Sequence, residues 1–104
     1  MKYKELINRK IFIGCTDVAS MKQVINFLRY KRFDWGGGEF YYKNIFVGMS
    51  LYLTNGGRYQ LMHASNTGIL MNNDFDQITD MEFLKHNKLS WIERLGKKPF
   101  GYIE

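Results

Sequence analysis

The chain has 104 residues, enough for one hydrophobic core, and reads as a single domain over 1–104. With 45% hydrophobic and 16% aromatic residues it is too apolar to be disordered, and a single cysteine, Cys15, excludes an internal disulfide and the usual structural zinc patterns. The net charge of +5 sits in residues 1–52, which hold nine Lys/Arg against four Asp/Glu, whereas 53–104 hold six of each, a bias that favours anionic partners.

Lys2 to Lys10 mixes charge with Tyr3, Leu6 and Ile7, a spacing that predicts a short helix packed by one side. Ile11-Phe12-Ile13-Gly14-Cys15 is a β-branched and aromatic run, read as a strand leading straight into the main helix. Between Thr16 and Gly38, Val18, Met21, Val24, Ile25 and Leu28 recur at steps of three and four, an apolar face that needs a sheet to cover it. Its start is a capping box of Ser20 and Gln23, or Thr16 or Asp17 one turn earlier. Arg29, Lys31 and Arg32 complement the negative end of the helix dipole, and Gly36 to Gly38 are expected to stop the helix. Phe33 and Trp35 stand two apart, so an extended segment would point them the same way and bury both at a corner.

Glu39 to Leu53 is strand-like throughout, and its length implies a break at Lys43-Asn44 or at Gly48. Asn55-Gly56-Gly57 is a hairpin signal that pairs Ser50–Thr54 with Arg58–His63 antiparallel. Asn66-Thr67-Gly68 is a second turn, Ile69 to Met71 a short edge strand, and Asn72-Asn73-Asp74 a polar loop. Thr79 with Glu82, stapled by Ile78 and Phe83, predicts a helix over Asp80–His86. Ser90 with Glu93 repeats the signature for a last turn through Trp91, Ile92 and Leu95 that ends at Gly96. The basic stretch Lys97 to Tyr102 holds the only proline and is expected to be irregular. The fold class is α+β: a strand, a long amphipathic helix, an antiparallel β-meander and short C-terminal helices.

Two motifs carry a resemblance. Phe33-Asp34-Trp35-Gly36-Gly37-Gly38 after a helix, with Ile78-Thr79-Asp80-Met81-Glu82-Phe83-Leu84 further on, resembles a pattern of small, mostly uncharacterised accessory proteins of bacteriophages and prophages. In them a strand and helix lead to F-x-W-x-x-G, short strands follow, and a segment like I-T-x-x-E-F-L closes the domain. The likeness spans roughly 11–85 and brings no catalytic residue. It implies a protein that works in the bacterial host cytoplasm by binding a host enzyme, a defence protein or a signalling nucleotide.

Cys15 precedes a helix N-terminus, where a thiol pKa falls, but no placed base accompanies it, so it is read as a small apolar residue ending a buried strand. His63 and His86 are candidate bases without a partner signature. Asp74 and Asp76 amount to half of a cation site without its remaining ligands and are read as loop carboxylates. Gly36 to Gly38 lack the spacing of a nucleotide-binding loop and are read as a turn. No catalytic, metal or cofactor set emerges, and the expectation is that the protein is not an enzyme.

Aromatic density is the informative feature. Ten aromatic residues lie from Phe27 to Tyr59, interleaved with Arg29, Lys31, Arg32, Lys43 and Arg58. Phe27, Phe33 and Phe46 are assigned to the core. Arg32, Trp35, Tyr41, Tyr42, Tyr52, Arg58 and Tyr59 are the candidate binding residues, since rings plus cations suit a nucleotide or an interface anchor. The leading expectation is stoichiometric binding of a host or defence protein, or of a small anionic nucleotide, by a homodimer. The alternative is a sequence-tolerant nucleic-acid-binding module. No apolar run approaches eighteen residues and no charged-then-apolar leader opens the chain, so neither a membrane span nor a secretory signal is expected.

Overall fold

The computed structural model describes residues 2–7, 11–35, 45–54, 58–62, 76–99 and 102–103. In chain order these form α1 (Tyr3–Leu6), β1 (Ile11–Gly14), α2 (Val18–Tyr30), β2 (Asp34–Trp35), β3 (Ser50–Thr54), β4 (Arg58–Met62), β5 (Asp76–Thr79), α3 (Asp80–His86) and α4 (Trp91–Leu95). The class is α+β. The described strands make one sheet in the order β2-β4-β3-β1-β5. β3 runs antiparallel to both β1 and β4, while β5 lies parallel to β1 and β2 parallel to β4. The expected meander is therefore the antiparallel centre of a mixed sheet, flanked on each side by a parallel pair.

The main helix packs as its periodicity requires. Met21, Val24, Ile25 and Leu28 are fully buried against Ile13, Leu51 and Leu53 in one core cluster. At about 1.5–3 kcal/mol for each large apolar side chain removed from water, this stripe is a major source of stability. Asp17, not Ser20, is the N-cap: its carboxylate accepts from the Ser20 N–H at 3.0 Å. The helix also ends earlier than the glycines. Lys31 is the C-cap, and Arg32 turns the chain with φ 65°. The Phe33 N–H then reaches the Leu28 carbonyl at 2.9 Å and the Arg32 N–H that of Arg29 at 3.0 Å, the paired closure of a Schellman motif with arginine where glycine is usual.

An aromatic cluster seals the end of this layer. Tyr3 meets Phe27 and Phe33 edge-on at 5.3 and 5.8 Å, and Phe27 meets Phe83 at 5.5 Å. Phe27 and Phe33 are thus core residues as expected, whereas Phe46 is part-exposed. The expected long strand before Leu53 does not extend through Ile45–Met49, where Gly48 takes φ 101° in a turn and donates to the Cys15 carbonyl. Its earlier part, with the break expected at Lys43-Asn44, lies outside the described residues. So do the Asn55-Gly56-Gly57 and Asn66-Thr67-Gly68 turns, Ile69 to Met71, His63, Asp74 and the glycines 36–38. Asp76 is not a loop carboxylate: it opens β5 opposite Ile11.

Both later capping signatures are present in the structure. Thr79 Oγ1 accepts from the Glu82 N–H at 3.0 Å to start α3, and Ser90 and Glu93 cap each other reciprocally to start α4, which closes at Gly96. At the end of β1, Gly14 makes room for a neighbour: a Cβ there would collide with Gln77 Nε2, which crosses it to donate to the buried Ser50 Oγ at 2.6 Å. No helix among the described residues is long and apolar enough to cross a membrane.

Candidate binding surface

β1 and β5 run parallel as neighbours, so the helices that follow them begin side by side. The residue at the junction is Asp80, fully buried at the first position of α3. Its carboxylate accepts from the Thr16, Asp17 and Met81 N–H groups at 3.1, 3.2 and 2.8 Å, and from the Thr16 hydroxyl. Donors that would otherwise suit an external anion at a helix start are satisfied from within. Cys15 lies beside this knot and is buried. Burial, and then the nearby Asp80 carboxylate, push its thiol above the usual range, while the Asp17 backbone N–H pulls the other way. That environment keeps the sulfur a thiol, as suits the packing role read from the sequence.

The residues singled out for their aromatic and basic character distribute over several places. Arg32 is exposed at the end of α2 and Arg58 is exposed at the start of β4. Arg58 pairs with Thr54 and Asp34, and Tyr59 with Leu53 and Trp35, so Trp35 and Tyr59 are register neighbours. Alternation along the strands assigns positions 52 and 58 to one face of the sheet and positions 35 and 59 to the other. Tyr52 is half-buried, with its ring 4.8 Å from that of Phe12. Tyr41 and Tyr42 lie outside the described residues.

A different surface stands out at the C-terminal end of the fold. α4 buries none of its residues, and Trp91, Ile92 and Leu95 are 70, 65 and 77% exposed. Trp91 and Leu95 are four apart and Ile92 and Leu95 three apart, so the three share one side of the helix. A five-residue helix is too short to persist on its own. It is held by its capping box and by Glu93, whose carboxylate takes both a 3.0 and a 3.2 Å contact from Lys31 Nζ at the end of α2. The Ser90 N–H and Lys31 together hold the Glu93 carboxyl below its ordinary pKa.

Beside α4 runs a cleft of about 420 Å³, walled by α2, the α3–α4 segment and the segment at Tyr102. Its frame is fixed by two buried amides. Asn26 donates to the Ile103 carbonyl at 2.8 Å and accepts from the Ile103 N–H at 2.7 Å; Asn87 donates to the Phe83 carbonyl and accepts from the Tyr3 N–H, both at 2.8 Å. Sequence reasoning places α4 correctly but sees only a last helical turn. The signal for more is present: an apolar trio at helical spacing, after the elements able to cover it have been used. Lys88 and Arg94, which line the cleft, give no signal, because an isolated cation in a connection and another on a short helix look like any solvated surface.

No family model, no curated protein and no solved structure matches this chain.

Proposed function

We propose that the protein is non-catalytic and acts by stoichiometric binding of another protein, with α4 as the anchor. The observation that carries this reading is the exposure of Trp91, Ile92 and Leu95 on a helix that has no fully buried residue. Large apolar side chains gathered on a capped, tethered element are the makings of an interface, where tryptophan is prominent among the residues that dominate binding energy. The enclosed, protonated Cys15 supports the non-catalytic part. The motif resemblance gives the setting: a phage-type accessory protein that inhibits a host or defence protein in the bacterial cytoplasm. A twofold dimer belongs to the same proposal and would sediment above 12.4 kDa at micromolar concentration.

The test compares capture from a bacterial lysate by the parent and by Trp91→Ala, with nuclease added to half of each sample. Trp91→Ala is expected to keep its unfolding midpoint, since its ring is mostly in solvent, and to lose at least about 2 kcal/mol of partner affinity. Equal capture by both variants would remove α4 from the interface. Recovery of nuclease-sensitive nucleic acid alone, with affinity falling steeply in salt, would instead select the nucleic-acid-binding alternative through exposed cations such as Arg32 and Arg58.

A further inference from the structure

We propose that the cleft beside α4 is a binding site for a small organic anion with an apolar body. Phe27, Leu84, Leu89 and Tyr102 line it together with the amides Gln23, Asn26 and Asn87, and two cationic residues, Lys88 and Arg94, belong to the same lining. Among the described residues no Asp or Glu lines it, and neither the Lys88 ammonium nor the Arg94 guanidinium has a partner. The nearest acidic side chain in sequence, Glu93, is engaged by Lys31. Two cationic residues with no acidic residue among the described lining, set beside apolar side chains in one cleft, complement a carboxylate, phosphate or sulfonate attached to hydrocarbon, and arginine offers such groups a planar two-pronged donor.

The volume falls within the range of small-molecule sites, about 300–1,000 Å³. The walls are also preformed. Asn26 and Asn87 spend their amides on the backbone of Ile103, Phe83 and Tyr3, so they act as braces, and a ligand need not order the cleft before occupying it. This site is separate from the apolar side of α4 that carries the proposed protein interface, and the two can fail independently.

The probe is 1-anilinonaphthalene-8-sulfonate, an apolar body of a naphthalene and a phenyl ring with one fixed anion, titrated into the folded protein and followed by fluorescence and by amide chemical shifts. Saturable one-to-one binding is expected, with shifts at Leu84, Leu89 and Tyr102. The Lys88→Ala/Arg94→Ala variant should bind at least about tenfold more weakly, the loss expected when charge-assisted contacts are removed. The uncharged analogue N-phenyl-1-naphthylamine should be weaker by a similar factor. Trp91→Ala should leave probe binding unchanged. The proposal is overturned if the probe does not bind, if it binds the double variant as tightly as the parent, or if Trp91→Ala abolishes the signal, which would place the probe on the apolar side of α4.

Discussion

Arg32 holds a backbone conformation that side chains with a Cβ avoid, at a cost of about 1–2 kcal/mol. Two hydrogen bonds and the burial of Phe33 enforce it, because the chain must leave α2 and enter β2 within three residues. A glycine would relieve the strain but loosen the unfolded chain by about 0.4–1 kcal/mol. Arg32→Gly is therefore expected to raise stability by about 0.5–1 kcal/mol in urea unfolding. A loss of stability would show that the guanidinium makes contacts worth more than the strain. Arg32 is also among the binding candidates read from the sequence, and strained residues concentrate at functional sites, so a stabilised variant with weaker partner capture would connect the two facts. Asp80 illustrates the opposite case: a charge buried without strain, because four donors converge on it.

The elements show where a pairwise code is readable. α4 is tied to α2 through Lys31 and Glu93, each about a quarter exposed, so the pair is worth up to about 1 kcal/mol. The folded Glu93 carboxyl titrates below its ordinary value, so on acidification the unfolded chain takes up the proton first. The contribution is complete above the ordinary carboxylate pKa of about 4.3 and is lost as pH falls through the lowered folded value. Parent and Glu93→Gln should accordingly differ in unfolding free energy near pH 7 and converge once Glu93 is protonated in both states. A difference that persists in acid would assign the effect to capping geometry instead of charge. The same capping residues make α3 and α4 legible from sequence, as the 3.6 periodicity makes α2 legible, because both signals act between residues a few positions apart. β2 and β5 are not legible. Asp34–Trp35 and Asp76–Thr79 have no alternating apolar pattern, and they become strands only because β4 and β1 offer them an edge. The cleft is hidden for a related reason: Lys88, Arg94, Phe27 and Tyr102 come to line one space only after α2, α3 and the C-terminal segment have packed.

At the scale of the molecule, the helical layer is fastened by side chains that reach across most of the chain. Tyr3 to Asn87, Thr16 to Asp80 and Asn26 to Ile103 join positions 84, 64 and 77 residues apart. Such links form only when the layer is assembled, which couples the start, middle and end of the chain into one cooperative unit. Ile103 is the most informative place to test this, since it is buried, belongs to the core cluster and is gripped through its backbone by Asn26. Ile103→Ala keeps that backbone grip and removes only the apolar anchor, so a loss of about 2–5 kcal/mol is expected. Unfolding followed by far-ultraviolet circular dichroism and by tryptophan fluorescence should shift together to a single lower midpoint. Two separated transitions, with the variant affecting one of them, would mean that the C-terminal segment and the cleft it walls come apart before the sheet and α2 unfold.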